Sequence, residues 1–333
     1  MTAGARLTGT MRSGRTSAAG RASPRRLLPL ATAAVAGALL GACASTPAPL
    51  LGLYVDKPTP THIAAVARTL RIPDQAASGY TGGISWASIA SYTPFSGARN
   101  PEGYRLLLSV AMCPSPGGDL RAVPAHLDTF RTLARHLVAG GQADAVIRLG
   151  EEANGNYPGG PHSGFSWVTA DSALYRSDYR RIVSVMRAVP GAHFLFDFNV
   201  NDAFTFPWPN GQRGRAGFAA YYPGDAYVDV ISDDFYDNGF PTHYAGNVVG
   251  VIDEAVAHGK AWALPEWGLT GTDSPGFIAT MTRLVLGSYP DPKGGTYPPA
   301  LYESYFDTDD SRLGPGQARS IAALARDLGA HRS

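Results

Sequence analysis

The sequence has little cysteine, since Cys43 and Cys113 are its only two. If Cys43 is lipidated or removed with a leader, no intramolecular disulfide can form, and the fold must be held by its hydrophobic core. The remaining chain of about 290 residues is long enough for this, because chains of that size bury most of their surface. Cys113 is then most simply interpreted as a small buried apolar residue.

The sequence also lacks an excess of charge of one sign. It has 28 Lys and Arg residues against 27 Asp and Glu, and six arginines fall within the first 26 residues, which contain no acid. Without those six the count is 22 against 27, a net charge of −5. This mildly acidic balance argues against nucleic acid as a partner and suits a neutral ligand. No spacing of His, Asp and Glu indicates a metal site, and no cofactor is expected.

The first 43 residues have the composition of an export signal. Their arginines precede an apolar run, Leu27–Leu40, that is too short and too rich in alanine for a membrane-spanning helix. The run ends at Leu40-Gly41-Ala42-Cys43, which resembles the lipobox of bacterial lipoproteins. The sequence therefore predicts an exported protein held at the cell-envelope membrane through a lipidated Cys43, with residues 44–50 as a tether. The alternative is an ordinary cleaved signal peptide and a secreted protein.

Beyond residue 50 the sequence contains no internal linker, repeat or low-complexity stretch, so residues 51–333 are predicted to form a single domain. Eight apolar runs alternate with amphipathic helical stretches, which predicts an α/β fold of the (β/α)8 TIM-barrel class. A doubly wound sheet is the rival, but the first run is followed by Asp56-Lys57-Pro58 rather than by a glycine-rich phosphate loop. The predicted strands are Leu51–Val55, a weaker candidate near Ala77–Trp86, Arg105–Met112, Ala145–Glu152, His193–Val200, Val228–Tyr236, Ala261–Gly268 and Leu301–Asp307. The predicted helices are His62–Ile72, Val123–Val138, Asp171–Val189, Val248–His258 and Gly316–Leu328.

Two glutamates lie at the ends of predicted strands. Glu152 closes one, and Glu266 lies near the end of another. The chemistry of a TIM barrel takes place at the carboxyl ends of its strands, so the two should face each other across the mouth. Such a pair is what glycoside hydrolysis needs, because one carboxyl protonates the leaving oxygen while the other attacks the anomeric carbon or activates water.

Other residues near the strand ends are candidates for holding this pair or for contacting a sugar. Arg148, on the same strand face as Glu152, is predicted to be a buried ion-pair partner that holds the charge of the site. Sugars present C–H faces that stack on aromatic rings, and hydroxyls that need directed hydrogen bonds. Asp234 is open between a sugar ligand and a structural hydrogen-bonding residue. The predicted substrate-binding residues are Asn154, Tyr157, Asn199, Trp208, Asp234 and Trp267.

Several segments together resemble glycoside hydrolase family 26, chiefly Ile147–Asn156, Tyr221–Asp237 and Leu264–Gly268. The resemblance implies a TIM barrel that cleaves β-1,4-linked polysaccharide, most often mannan, with two glutamates and retention of configuration. Carried over by residue, Glu152 is the general acid/base, Glu266 is the nucleophile and Tyr236 hydrogen-bonds the nucleophile. The protein is expected to be a monomer whose partners are the polysaccharide and, through the lipid anchor, a membrane.

Two positions depart from the family's pattern. Glu151 stands where the family often has His or Trp, and Tyr157 stands where an Asn-Gly-x-Trp motif would place Trp. Both lie near expected sugar contacts, so mixed-linkage β-glucan and xylan stay open as alternatives to mannan. If Glu152 points into the barrel, Glu151 should point away from it, as an ion-paired residue behind the strand. The alternative from another functional class is a non-catalytic polysaccharide-binding lipoprotein on a degenerate barrel.

The retaining mechanism predicts the distance between the carboxyl groups of Glu152 and Glu266. Retaining enzymes hold their two carboxyl groups about 5–5.5 Å apart, whereas inverting enzymes leave about 6.5–9.5 Å for a water. We expect the shorter distance, with the proton on Glu152, because two carboxylates so close cannot both stay charged. Glu266 should stay ionised, held by the hydroxyl of Tyr236 and by a cation, Arg148.

Replacing the lipidation cysteine tests the envelope prediction. We expect Cys43→Ala to release the protein from the membrane fraction or to stall its processing, because the acyl chains have no other attachment point. Fractionation and the precursor-to-mature ratio of the two proteins, with Cys113→Ala as the control, measure this. Unchanged membrane association with unchanged processing would contradict the lipobox interpretation.

Overall fold

The architecture is a closed barrel of eight parallel strands, each paired with the next along the chain and the last with the first. The computed structural model describes residues 48–81, 83–91, 100, 103–155, 165–202, 204, 207–240, 247–308 and 311–331. These residues belong to one compact unit, Thr46–Ser333. Cys43 and Tyr157 lie outside the described residues.

The strands alternate with helices in the order that the sequence predicts. The strands are β1 (Leu50–Val55), β2 (Ala76–Tyr80), β3 (Arg105–Val110), β4 (Val146–Leu149), β5 (Leu195–Asn201), β6 (Val230–Tyr236), β7 (Ala261–Gly268) and β8 (Tyr302–Asp307). The α-helices are α1 (Pro60–Leu70), α2 (Trp86–Ser91), α3 (Leu127–Ala139), α4 (Ser172–Arg187), α5 (Gly214–Tyr221), α6 (Val248–Ala257), α7 (Pro275–Val285) and α8 (Ala318–Gly329). The predicted (β/α)8 class is confirmed.

Two details of the prediction differ from the structure. The helices α2, α5 and α7 were not among the predicted ones; the first two are short, six and eight residues, so they carry little periodicity. The strand β4 ends at Leu149 and not at Glu152. Gly150 and Glu152 both have positive φ, +61° and +50°, which is incompatible with continued strand geometry.

Local sequence explains where several helices begin and end. Thr59 caps α1 by accepting a hydrogen bond from the backbone N–H of His62, and Pro60 supplies a preset φ at the first helical position. Gly259, with φ +63°, follows the end of α6, and the N–H of the following Lys260 bonds back to the carbonyl of Ala255. None of the helices in these described ranges is long and apolar enough to cross a membrane.

The barrel interior changes character along its axis. Near the amino ends of the strands it holds a small apolar layer, formed by Ala76, Leu107, Val146, Val230, Ala263 and Tyr302. Two residues further along, the same strand faces carry Ser78, Ser109, Arg148 and Ser232, all buried. The larger apolar core lies outside this barrel, between the strands and the helices. Polar chemistry is therefore concentrated toward the carboxyl ends of the strands.

Trp208, predicted to be a sugar platform, lies in that larger core. Its side chain is 2% exposed and packs against Phe218 and Tyr221 of α5. A tight turn folds the segment back, since the N–H of Trp208 bonds to the carbonyl of Gln212. A Cβ on Gly217 would stand 2.1 Å from the indole, so this glycine makes room for the ring. The prediction for Trp208 is therefore wrong. The local sequence around a tryptophan does not distinguish a ring packed in the core from a ring exposed in a cleft.

Adding one methyl group at Gly217 tests this packing. We expect Gly217→Ala to lower the free energy of unfolding by about 1–3 kcal/mol, because the new Cβ must displace a fully packed indole ring. Urea unfolding followed by tryptophan fluorescence measures the change. Gly276→Ala is the matched control, since a Cβ there meets nothing within 4 Å and should leave stability unchanged or slightly raised. Equal stability of both variants would contradict the described position of Trp208.

Candidate active site

Within the described part of the chain, a single buried arginine lies at the centre of the carboxyl end of the barrel. Arg148 on β4 is 3% exposed, and its Nη1 donates to both carboxylate oxygens of Asp234 at 3.0 and 2.9 Å. Strand register explains a further contact, because Ser109 is the β3 partner of Arg148 and its Oγ accepts from Nε at 2.6 Å. The third nitrogen, Nη2, donates to the carboxylates of Glu151, at 3.0 Å, and Glu266.

The carboxylate of Glu266 is surrounded by donors. Its Oε1 accepts from Arg148 and from the hydroxyl of Tyr80, and its Oε2 accepts from the hydroxyl of Tyr236 at 3.0 Å. The predicted contacts from Tyr236 and Arg148 are thus present. Tyr80 was missed, although it is the last residue of β2 and so occupies the kind of position where barrel chemistry lies. Three donors on one carboxylate stabilise its ionised form.

Glu266 points into the barrel because β7 is irregular. Ala263 faces the interior layer, while Trp262 and Leu264 lie in the core outside it. Strict alternation along β7 would turn Glu266 to the same side as Leu264. The pairing of β7 with β8 shifts register between Leu264 and Trp267, across Pro265, and this bulge re-aims Glu266 inward.

Glu152 is held by asparagines instead of by a cation. Its backbone N–H donates to Oδ1 of Asn199 at 2.7 Å, and its Oε1 accepts from Nδ2 of Asn201 at 2.6 Å. Asn201 is fixed in turn by two bonds with Asn154, one to its backbone oxygen and one from its backbone N–H. These contacts hold a residue with positive φ in a loop directly after β4.

The two predicted catalytic glutamates are close together. Glu152, Asp234 and Glu266 each have one carboxylate oxygen within 4.8 Å of the other two. Such a trio could hold a metal ion in principle, but the guanidinium of Arg148 already binds two of its three members. Asp234 and Glu266 are register partners on β6 and β7, which accounts for their proximity.

Burial and charge separate the behaviour of the acids. Burial, followed by the negative charges of Asp234 and Glu266, raises the pKa of Glu152 well above its usual range. This shift favours the protonated form of the carboxyl. Burial also raises the pKa of the Tyr80 and Tyr236 phenols, so both stay protonated and donate to Glu266. The site contains one acid that can give a proton and one carboxylate that is held by donors.

Glu151 does not point away from the barrel, so that prediction is wrong. Its side chain is 13% exposed, is ion-paired with Arg148 and borders the cavity above Glu152 and Glu266. The positive φ angles of Gly150 and Glu152 break the alternation on which the prediction relied. A Cβ at position 150 would stand 2.5 Å from the sulfur of Met112, so a larger residue there would require that buried side chain to shift.

Four predicted sugar contacts are internal to the protein. Asn154, Asn199 and Asp234 are buried and hydrogen-bonded as described above, which settles Asp234 as a structural partner of Arg148. Trp267 is fully buried and donates through Nε1 to Glu303 at 2.6 Å. These residues support the site, and the structure does not place them on the wall of the cleft.

Aromatic rings that the sequence did not single out line the cleft instead. A cavity of about 250 Å³ lies over the glutamates, and its described lining is Tyr54, Tyr80, Glu151, Glu152, Phe165, Glu266 and Phe306. Tyr54 stacks on Phe306 with ring centroids 4.7 Å apart and meets Tyr80 edge-on at 5.1 Å. Rings beside directed polar groups are what a sugar-binding cleft requires.

Comparison with known proteins finds a partial sequence relative. No family model matches the sequence. Over 137 residues, 38% of this chain, it is 28% identical to a mannan endo-1,4-beta-mannosidase of Bifidobacterium adolescentis. The matched region spans 12% of that relative's length.

Solved structures share the fold over most of the chain. A family 26 β-mannanase of Bacteroides ovatus superposes with a TM-score of 0.59 at 16% identity, covering 84% of this chain and 88% of that one. A modular endo-β-1,4-mannanase of Cellulomonas fimi gives 0.59 at 21% identity, covering 85% and 70%. The catalytic domain of a Bacillus sp. family 26 endo-β-1,4-mannanase gives 0.57 at 17%, covering 84% and 85%. At these identities the likeness establishes the barrel fold.

Removing the central cation tests the electrostatics of the site. We expect Arg148→Met to lower the free energy of unfolding at pH 8 by about 3–5 kcal/mol, because buried carboxylates lose their counter-charge. Burial already raises the pKa of Glu151 and Asp234, and without Arg148 both should rise further, so stability is retained below the unfolded pKa and lost as pH rises. The loss should therefore be smaller at pH 5.

Chemical denaturation of both proteins at pH 5 and pH 8 measures this dependence. Arg326→Met is the matched control, since it removes the same charge from an exposed ion pair and should change stability little. A loss for Arg148→Met that is the same at both pH values would contradict the assigned role.

Proposed function

We propose that this protein is a retaining endo-β-glycosidase that hydrolyses β-1,4-linked polysaccharide, with β-mannan as the first substrate to test. The observation that carries the proposal is the separation of Glu152 and Glu266, whose nearest carboxylate oxygens lie within 4.8 Å at the carboxyl end of a closed barrel. Retaining glycosidases hold their carboxyl groups about 5–5.5 Å apart, and no water fits between them as inversion requires.

In the first step Glu266 acts as nucleophile. A carboxylate oxygen forms a bond to the anomeric carbon while the bond from that carbon to the bridging oxygen breaks. Glu152 gives its proton to the bridging oxygen, so the leaving sugar departs as a neutral alcohol. The raised pKa of Glu152 keeps this proton available, and the resulting carboxylate remains bonded to Asn201.

In the second step Glu152 acts as base. It removes a proton from a water that attacks the anomeric carbon, and the ester bond to Glu266 breaks. Two inversions at one carbon give net retention. As Glu266 regains its negative charge, the donors Tyr80, Arg148 and Tyr236 stabilise it.

The choice of mannan as first substrate comes from the relatives. The partial sequence relative is a mannan endo-1,4-beta-mannosidase, and the superposed structures of Bacteroides ovatus, Cellulomonas fimi and Bacillus sp. are described as mannanases. The aromatic lining of the cavity supports a sugar ligand in general.

Replacing each glutamate separately tests the division of roles. We expect Glu266→Ala to abolish hydrolysis of β-1,4-mannan, with azide partly restoring bond cleavage and giving a glycosyl azide of inverted anomeric configuration. Glu152→Ala should slow unactivated substrates by about 10²–10⁴-fold, while aryl glycosides with good leaving groups keep more of their rate because they need little protonation. Initial rates and the anomeric configuration of products measure both effects.

Asp144→Ala is the control, since it removes an exposed carboxylate just before the amino end of β4, at the opposite end from the site. Its rates should equal those of the parent. If Glu152→Ala and Glu266→Ala lost activity equally on activated and unactivated substrates and azide rescued neither, the roles would be assigned wrongly. Absence of hydrolysis by the parent on every β-1,4-linked glycan tested, with mannan, mixed-linkage glucan and xylan among them, would overturn the proposal.

A further inference from the structure

We propose that Glu151 makes this cleft selective for glycans that carry a protonated amino group, namely 2-amino-2-deoxy sugar units, over neutral or acidic ones. The proposal rests on the proposed glycoside hydrolase function and adds the chemical class of the substrate. Four observations carry it, and they concern the place, rigidity, charge and surroundings of this carboxylate.

Glu151 lies on the wall between two cavities. One is the cavity of about 250 Å³ over Glu152 and Glu266. The other, of about 400 Å³, lies beside it over the ends of β2 and β3, and Trp167 is part of its wall. Both cavities share Tyr80, Glu151 and Phe165 as lining. A glycan that extends from the reacting bond into the second cavity must pass Glu151.

Glu151 is held in a fixed orientation. Its backbone oxygen accepts from Nε1 of Trp167 at 2.9 Å, and its Oε2 accepts from Nη2 of Arg148 at 3.0 Å. A hydrogen bond with Ser109 holds the same carboxylate. A carboxylate has about four acceptor positions, so these partners leave capacity for a ligand on a side chain that borders both cavities. Such a group loses little conformational entropy on binding.

The charges around Glu151 are unbalanced. Among the residues that the structure describes, Arg148 carries the one positive charge that contacts Asp234, Glu151 and Glu266. Burial raises the pKa of Glu151 and of Asp234, and the charge of Arg148 opposes that rise, so one cation serves as the counter-charge for three buried acids. The described lining of the two cavities contains no Lys, Arg or His. A ligand that brings a positive charge relieves this excess, whereas a ligand with a carboxylate increases it.

The surroundings favour an ammonium group attached to a sugar. Rings of Tyr54, Tyr80, Phe165 and Phe306 line the inner cavity and offer π faces to sugar C–H groups and to a cation. A hydrogen bond between an ammonium and a carboxylate is roughly twice as strong as a neutral one, so an amine gains more from Glu151 than a hydroxyl does.

Binding of matched oligosaccharides tests the proposal. The ligands are β-1,4-linked glucosamine tetramer, its N-acetylated counterpart and mannotetraose, measured by calorimetry at a pH where the amine is protonated. The full chain with Glu152→Gln is used, because this change removes the proton donor while keeping the side chain neutral. We expect the glucosamine tetramer to bind at least about tenfold more tightly than the other two, with an advantage that falls as salt rises.

Adding Glu151→Gln on the same background should weaken binding of the amino tetramer on the order of tenfold to a hundredfold, which is the cost of one charge-assisted hydrogen bond. Binding of the two neutral tetramers should change by less than about threefold, because Gln keeps an acceptor oxygen. Asp144→Asn makes the same change of net charge far from the cleft and should leave all three affinities unchanged. Hydrolysis rates of the parent on the same ligands give the matching preference in activity.

Each result decides the matter. Equal or tighter binding of the neutral tetramers by the Glu152→Gln protein overturns the selectivity while leaving the proposed hydrolase function intact. Equal weakening of all ligands by Glu151→Gln also overturns it, since the residue would then only position Arg148. If Glu151→Gln does not fold, the preference between amino and N-acetylated tetramers in the Glu152→Gln protein decides alone. If the parent neither binds nor cleaves any of these or the neutral polysaccharides, the proposed function itself fails.

Discussion

The guanidinium of Arg148 is the interaction on which the rest of the site depends. Three carboxylates converge on it, and its donors also reach Ser109 and the hydroxyl of Tyr80. Desolvating an ion pair costs several kcal/mol, and only good geometry with further hydrogen bonds offsets this. A lysine ammonium would bring the charge without the planar fork that serves all these acceptors at once. The carboxylates can lie close together because this one cation lies among them.

The same arrangement gives the two catalytic candidates different chemistry. Glu266 lies on the cation and on two phenols, whereas Glu152 is bonded to asparagines. A fold obtains one proton donor and one ionised carboxylate when the environments of two neighbouring acids push their pKa values apart. Asn199 connects the halves, because its Oδ1 holds the backbone of Glu152 while its Nδ2 donates to Asp234 at 3.0 Å. Asn199 and Asp234, predicted from the sequence as sugar contacts, thus help to position the two candidate glutamates.

The barrel fold and the location of the two glutamates could be predicted from the sequence, because both depend on regular features. Strand and helix periods are visible along the chain, and the position of chemistry at strand ends follows from the fold class. The direction of the Glu151 side chain could not be predicted, because it depends on positive φ angles at Gly150 and Glu152. The bulge that turns Glu266 inward could not be predicted either. The sequence pointed to Trp208 and Trp267 as sugar contacts, and not to Tyr54 and Phe306. Tertiary packing alone decides which aromatic rings line the cleft.

The polar interior of the barrel has a consequence for stability as well as for chemistry. Burial raises the pKa of Asp197, and likewise that of Glu303, to about 7. Acids whose pKa is raised on folding stabilise the native state below their unfolded pKa and lose that contribution as pH rises through the folded value. Glu152 must keep its proton to act as an acid, so it too is favoured by lower pH. Mildly acidic conditions therefore favour both the buried acids that support the barrel and the acid that would perform the reaction. The fold loses stability toward alkaline pH because these ionisable groups are buried.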